Sequence, residues 1–215
     1  MERDEYLARW GELHGMDPRD NRLVCWWLGL VHGLARPFVR LGASPDAVTL
    51  VGLAVSLLAL PLAWLGGRWL LASALAVFAS GITDNLDGAV AVMTGRATKW
   101  GAVLDSACDR VGDMAFLAAL WLAGAPAGVC VAAGGVTFLQ EYVRARAVAG
   151  GMSEVGVVSV WERPSRVLVV GMFLLAAGLH PAWGGWLLAV GSWAALGLAV
   201  VGLVQVGATV RRRLR

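Results

Sequence analysis

Long apolar segments are the feature that most limits the folds open to this chain of 215 residues. Hydrophobic residues make up 58% of the sequence and charged residues only 15%, with a mean hydropathy of +0.67. This composition is typical of integral membrane proteins, in which a helix needs about 20 residues to cross the hydrocarbon layer. We predict an all-α integral membrane protein with six transmembrane helices, at about 47–65, 69–93, 100–123, 127–149, 167–179 and 183–210.

An amphipathic segment precedes the first predicted span. Across 21–41 the apolar residues recur at helical spacing, while His32, Arg36 and Arg40 follow one another four residues apart. This pattern predicts a helix that lies in the membrane interface, kinked near Pro37, with its basic side toward lipid phosphates. A spanning helix is the alternative, because the segment is about 20 residues long, but the basic side argues against it.

Basic residues are distributed unevenly among the connections. Those after the first, third and fifth spans contain Arg68 alone, whereas the termini and the other two connections are rich in arginine. By the positive-inside rule, both termini and the even-numbered connections face the cytoplasm. The first 22 residues are charged and lack the apolar region of a signal peptide, in agreement with a cytoplasmic N-terminus. We therefore expect a cytoplasmic N-terminal segment with the interfacial helix (1–43), a six-helix transmembrane domain (44–210) and a basic cytoplasmic tail (211–215).

The net charge of +3 does not make nucleic acid an expected partner. Apolar spans interrupt the basic residues, so that they form no continuous stripe. Membrane lipid is the partner that this distribution predicts.

Four aspartates interrupt the apolar pattern. Asp84 and Asp87 are three residues apart near the end of the second span, and Asp105 and Asp109 are four apart near the start of the third. Each pair projects from a single helix face, and an ionised Asp in hydrocarbon costs about 2.5 to 3.5 kcal/mol. Two such faces turned toward each other would offer hard oxygen ligands to one or two Mg²⁺ or Mn²⁺ ions.

Two other roles are open to these aspartates. A single membrane aspartate is often only a hydrogen-bond partner between helices, and the carboxylates of a transporter bind a moving cation. A transporter favours carboxylates near the middle of the membrane on interrupted helices. Here the four cluster at the cytoplasmic end of uninterrupted spans, which favours a fixed metal site.

The residues around the aspartates resemble the signature of the CDP-alcohol phosphotransferase (CDP-alcohol phosphatidyltransferase) family, D-x2-D-G-x2-A-R, about eight residues, then G-x3-D-x3-D. The positions that match are Asp84, Asp87, Gly88, Ala91, Gly101, Asp105 and Asp109. The resemblance implies metal-dependent displacement of CMP from CDP-diacylglycerol by the hydroxyl of an acceptor alcohol, in phospholipid synthesis. It assigns the four aspartates to the metal, Asp109 also to the role of general base, and Gly88, Ala91 and Gly101 to the CDP group. Family members commonly form homodimers, so the resemblance also implies a homodimer of this chain.

One signature position departs from the family pattern. Val92 stands where the pattern has an arginine, so a positive charge expected near the phosphates is missing from its usual place. Arg96, Lys99 and Arg110 are the candidates to supply it. The alternative is a degenerate family member that acts as a membrane scaffold.

Three further segments extend the resemblance. Ser44-Pro45-Asp46 with Thr49 is similar to the family's T-P-N-x-x-T, and the segment that begins at Glu141 is similar to S-Y-x-R-A-R-A, with Glu in place of Ser. Glu162 begins a match to E-R-x-x-R. The last two segments contain the arginines that we predict to bind an acceptor phosphate: Arg144, Arg146, Arg163 and Arg166.

Arginine binds phosphate with a planar, bidentate fork, so these four residues favour an anionic acceptor: glycerol 3-phosphate, phosphatidylglycerol or an inositol phosphate. They could instead be topology signals alone, since every cytoplasmic helix end needs basic residues. Asp113 is three residues from Arg110, and we expect these two to form an ion pair.

Overall fold

The computed structural model describes residues 1–15, 17–152 and 158–214. Within these ranges the chain is helical and contains no strand, which confirms the all-α prediction. The α-helices are α1 (Arg3–His14), α2 (Arg22–Arg40), α3 (Pro45–Leu65), α4 (Trp69–Thr94), α5 (Lys99–Ala123), α6 (Ala127–Ala149), α7 (Arg163–Leu179) and α8 (Gly184–Arg213), with 3-10 turns at Pro18–Asp20 and Pro181–Trp183.

Short polar side chains mark the beginnings of two helices. The side chain of Asn21 accepts hydrogen bonds from the backbone N–H groups of Leu23 (2.9 Å) and Val24 (3.3 Å), and so caps α2. Ser44 accepts from the N–H of Ala47 (3.2 Å), and Pro45 is the first residue of α3. These bonds satisfy N–H groups that have no partner within the helix.

Three described helical segments are long and apolar enough to cross a bilayer: Pro45–Leu65, Trp69–Thr94 and Pro181–Arg213. The other three predicted spans coincide with α5, α6 and α7. Charged residues interrupt α5 and α6, and α7 has only 17 residues. The helix at the C-terminus continues to Arg213, beyond the predicted end of the last span, and Arg215 of the predicted tail lies outside the described residues.

The chain divides into two compact units. The first comprises Met1–Ala54 and Ala79–Asp109, and the second comprises Val55–Phe78 and Arg110–Arg215. In the first unit α1 packs against α2. Tyr6 is buried there, and the centroid of its ring lies 5.3 Å from the centroid of the His32 ring. This burial raises the pKa of Tyr6 to about 12.

The basic side of α2 is narrower than the sequence suggests. Arg36 and Arg40 are exposed, as predicted, and α2 continues through Pro37. His32 is instead buried, with Nε2 3.2 Å from the carbonyl oxygen of Met1. The prediction for His32 was wrong because α1 folds against this part of α2 and covers the imidazole.

In the second unit both α6 and α7 pack against α8. A Cβ atom at Gly202 of α8 would lie 2.6 Å from Oε1 of Gln140 and 2.8 Å from the Cβ of Trp161. Glycine is therefore required for this approach. Trp161 is buried against α8, and its Nε1 donates a hydrogen bond of 2.8 Å to Oγ1 of Thr137.

Candidate active site

Three aspartates of the first unit come together where α4 nears its end and α5 begins. Asp84 on α4 and Asp105 and Asp109 on α5 each offer a carboxylate oxygen, and these three oxygens lie within 4.8 Å of one another. All three side chains are half-buried. Carboxylates this close repel one another unless a cation neutralises them. A set of three hard oxygen donors fits Mg²⁺ or Mn²⁺.

Asp87 is not part of this group of three. Its side chain is buried, with Oδ2 accepting a hydrogen bond of 2.6 Å from the hydroxyl of Thr49 and Oδ1 accepting one of 2.6 Å from the backbone N–H of Gly88. Both bonds stabilise the ionised carboxylate. The sequence did not indicate a role for Thr49 beyond its place in a family segment, since the two residues are 38 positions apart.

A cavity of about 230 Å³ adjoins the three aspartates through Asp105. Of the four predicted metal ligands, Asp87 and Asp105 line it. The predicted CDP-binding residues Gly88, Ala91 and Gly101 line it as well. The remaining lining residues are Pro45, Asp46, Thr49, Arg96, Ala97, Thr98 and Ala102.

Gly101 keeps one wall of this cavity open. A Cβ atom at this position would lie 3.1 Å from Oγ1 of Thr98 and 3.3 Å from Oδ1 of Asp46. Thr98 Oγ1 accepts a hydrogen bond of 2.9 Å from the N–H of Gly101, and so caps the start of α5. A threonine directly before a helix is a typical capping signal, which sequence inspection could have found.

The predicted acceptor arginines belong to the second unit, where carboxylates surround most of them. Arg166 is buried and donates to Oδ2 of Asp113 and to Oε1 of Glu141, both at 2.6 Å. Both terminal nitrogens of Arg144 donate hydrogen bonds to the Glu162 carboxylate, Nη1 to Oε2 at 3.0 Å and Nη2 to Oε1 at 2.6 Å. These two guanidinium groups therefore connect α5, α6 and α7 through ion pairs.

The other two predicted acceptor arginines are placed differently. Arg163 Nη1 lies 3.8 Å from Oδ1 of Asp113, whereas Arg146 is exposed on α6. The expected pair between Asp113 and Arg110 is present at 3.7 Å, but Arg166 is the closer partner of Asp113. Arg110 instead approaches Glu141 to 2.8 Å.

Glu162 lies just before α7 and is the acidic partner of Arg144. Burial would raise the pKa of this carboxyl group, but hydrogen bonds from Arg144 and from both the hydroxyl and the N–H of Ser159 outweigh it. The pKa of Glu162 is therefore held below its usual range. The group stays ionised at neutral pH and holds Arg144 in place.

Comparison with known proteins identifies the family. The family model for CDP-alcohol phosphatidyltransferase matches residues 43–204, which include the three clustered aspartates and the whole cavity. The chain belongs to the CDP-alcohol phosphatidyltransferase family. It is thus a phosphatidyltransferase, as the aspartate signature implied.

Known relatives are similar in sequence to this phosphatidyltransferase over most of its length. Phosphatidylinositol phosphate synthase of Mycolicibacterium smegmatis is 36% identical over 190 residues, which cover 83% of this chain and 82% of the relative. The enzyme of the same name from Corynebacterium glutamicum is 35% identical, with coverage of 78% and 76%.

Solved structures of Mycobacterium tuberculosis phosphatidylinositol phosphate synthase also resemble this phosphatidyltransferase. The structure with CDP-DAG bound has a TM-score of 0.71 and 31% identity and covers 84% of this chain and 92% of that chain. The structure in complex with manganese and citrate has a TM-score of 0.72 and 31% identity, with coverage of 84% and 88%.

Proposed function

We propose that this phosphatidyltransferase transfers the phosphatidyl group of CDP-diacylglycerol to an inositol phosphate and releases CMP. The observation that carries the proposal is the group formed by Asp84, Asp105 and Asp109, which adjoins a cavity lined by the signature residues Gly88 and Gly101. The names and bound molecules of the relatives support the choice of donor and metal.

In this proposal the aspartates position the reacting groups. Asp84, Asp105 and Asp109 would hold Mg²⁺ or Mn²⁺, with Asp87 as a further ligand oriented by Thr49. When bound, one or two such ions neutralise the diphosphate and stabilise the oxygen of the departing CMP. Gly88, Ala91 and Gly101 leave room for the CDP group, since none of them places a bulky side chain in the cavity.

Asp109 acts as the general base in the transfer step. Its carboxylate takes the proton of the acceptor hydroxyl, whose oxygen then forms a bond to the phosphorus that carries the diacylglycerol. The bond from that phosphorus to the bridging oxygen breaks, and this oxygen leaves as part of CMP.

The acceptor proposal rests on charge. The four predicted acceptor arginines, Arg144, Arg146, Arg163 and Arg166, would together form the site for the acceptor phosphate, a group that a neutral alcohol lacks. The surroundings of these arginines suggest two different roles. Arg146 is exposed and would contact the phosphate directly, whereas Arg166 is held by two carboxylates and would keep the neighbouring arginines in position.

Membrane placement completes the proposal. We infer six spans formed by α3 to α8, with α2 in the membrane interface and both termini and the metal site on the cytoplasmic side. The coincidence of the helices with the predicted spans and the asymmetry of the basic residues support this arrangement. The division at 43/44 and 210/211 and the homodimer remain predictions.

Release of CMP by the purified protein tests the proposed function. The protein, with CDP-diacylglycerol and Mg²⁺ or Mn²⁺, is given an inositol phosphate, glycerol 3-phosphate, phosphatidylglycerol, free inositol or serine in separate reactions. We expect CMP release with the inositol phosphate, none in the presence of a chelator, and none from the matched Asp105→Asn variant. Equal release with free inositol would contradict the acceptor proposal, and no release with any acceptor would favour a scaffold.

A further inference from the structure

The arginine that the family pattern has at position 92 is absent here. The cavity proposed to bind CDP therefore lacks one cation that the pattern predicts near the phosphates. Val92 occupies the signature position, and it is buried in an apolar cluster with Leu86, Val90 and Met93. Its side chain is not among those that line the cavity. The signature position therefore contributes no charge here.

The cavity itself is acidic. Asp46, Asp87 and Asp105 all line it, and of the described residues around it Arg96 is the one that is basic. Three carboxylates repel an anionic diphosphate, so this group needs cations nearby. Among the described residues that line the cavity, Arg96 is the cation available to such a group.

The end of α4 places Arg96 at the cavity. Gly95 adopts a left-handed conformation (φ 66°), and its N–H donates to the carbonyl of Val92 at 3.4 Å, while the N–H of Arg96 donates to that of Ala91 at 3.1 Å. This pair of bonds is the Schellman motif, which ends a helix and turns the chain sharply. The backbone of Arg96 is thus held by the same bonds that terminate α4.

The other two candidate cations lie elsewhere. Lys99 is the exposed first residue of α5 and is not among the residues that line the cavity. Arg110 belongs to the second unit, where its Nη1 lies 2.8 Å from the carboxylate of Glu141. Neither residue is part of the cavity wall.

We propose that Arg96 binds the diphosphate of the CDP-linked donor. It would take over the role of the signature arginine, whose position Val92 occupies in this chain. Its planar guanidinium can donate two parallel hydrogen bonds to phosphate oxygens, which an ammonium group cannot do with the same geometry. The proposal rests on the proposed function, because it assumes that this cavity holds the CDP group.

Binding of CDP to the purified, intact protein in the presence of Mg²⁺ tests the role of Arg96. The variants are Arg96→Gln and Arg96→Lys, and the matched control is Lys99→Gln. We expect Arg96→Gln to weaken CDP binding by about tenfold or more, as for the loss of a charge-assisted hydrogen bond. Arg96→Lys should restore part of the affinity, and Lys99→Gln should bind CDP like the natural protein.

Cytidine, which lacks phosphate, separates recognition from misfolding. Arg96→Gln should bind cytidine as the natural protein does, because only the phosphate contact is lost. The proposal is overturned if Arg96→Gln keeps full CDP affinity, if it loses cytidine and CDP affinity equally, if Lys99→Gln weakens CDP binding as much, or if the natural protein does not bind CDP.

The test also distinguishes this proposal from the proposed function. If CDP binding depends on Arg96 but no acceptor yields CMP, the binding role stands and the proposed transfer fails. If the natural protein transfers to an inositol phosphate and Arg96→Gln leaves the KM for CDP-diacylglycerol unchanged, the transfer stands and the role of Arg96 fails.

Discussion

The hydroxyl of Thr49 donates a hydrogen bond of 2.6 Å to Oδ2 of Asp87, and both side chains are buried. This bond joins the first turns of α3 to α4 and leaves the carboxylate of Asp87 with a defined orientation at the cavity wall. A short hydrogen bond to an ionised carboxylate is stronger than one between neutral groups. Thr49 is therefore a positioning residue for Asp87.

We predict that Thr49→Val lowers the rate of CMP release, since valine has the same shape and no hydroxyl. The loss of a bond to a charged group is worth about 1.5 to 3 kcal/mol, or roughly tenfold to a hundredfold in rate if the bond serves the reaction fully. Thr49→Ser keeps the hydroxyl and should retain most activity. Raising the Mg²⁺ concentration should partly restore Thr49→Val. Equal activity of the serine and valine variants would show that the bond only stabilises the fold.

The metal site should depend on charge rather than on packing. Asp84→Asn and Asp105→Asn remove one negative charge each with little change in volume, so we expect no CMP release and weaker Mn²⁺ binding. The unfolding temperature without metal should stay the same or rise, because repulsion between the carboxylates decreases. Mn²⁺ binding followed by electron paramagnetic resonance measures the affinity directly. Metal-dependent turnover in either variant would contradict the site.

Removal of one partner from the buried pair between Arg166 and Asp113 should destabilise the protein strongly. The two side chains are almost fully buried and approach to 2.6 Å, so Arg166→Met leaves a buried carboxylate without its closest cation. Loss of one partner of such a pair costs about 3 to 5 kcal/mol. Arg146→Met is the matched control on an exposed arginine and should change the free energy of unfolding by less than about 0.5 kcal/mol.

Arg146→Met, which should leave stability unchanged, should instead change the enzymatic activity. If Arg146 binds the acceptor phosphate, Arg146→Met raises the KM for the acceptor without any change in the unfolding temperature. An unchanged KM for the inositol phosphate in Arg146→Met would remove Arg146 from the acceptor site.

Acid should remove the stabilising contribution of Glu162. Its pKa is lower in the folded protein than the value of about 4.3 for an unperturbed glutamate, so its contribution is fully present above that value and is lost as the pH falls through the folded pKa. Glu162→Gln should unfold at a lower temperature than the natural protein at neutral pH. The difference should shrink in acid, as measured by thermal unfolding at a series of pH values. A difference that does not depend on pH would contradict the ionic role of Glu162.

Single cysteines placed at two connections test the membrane orientation. Ala97 precedes α5, and Gly185 is an exposed residue in the first turn of α8. In a background that lacks Cys25, Cys108 and Cys130, a reagent that cannot cross the membrane should label Gly185→Cys only from outside and Ala97→Cys only from the cytoplasm. The reverse pattern would overturn the proposed orientation together with the cytoplasmic metal site.

The sequence alone determined what depends on local patterns. Apolar stretches of membrane length predict helices with nearly the observed bounds, because helix formation depends on residues close in sequence. The spacing of the aspartates and glycines sufficed to indicate the family, since three or four residues return to the same helix face. His32 shows the limit of this argument, because the periodicity of α2 does not reveal that α1 covers it.

The tertiary structure decided which polar side chains meet. Thr49 and Asp87 are 38 residues apart and Arg166 and Asp113 are 53 apart, and no local pattern predicts such pairs. The arginines that the sequence grouped as one phosphate site differ in their surroundings because buried charges require partners, and the packing of α5, α6 and α7 supplies carboxylates to some of them only. Arg96 is placed at the cavity of the first unit by the turn of the chain that follows α4. The Schellman turn at Gly95 redirects the chain after α4, a geometry that becomes visible only when the helix end and the cavity are seen together.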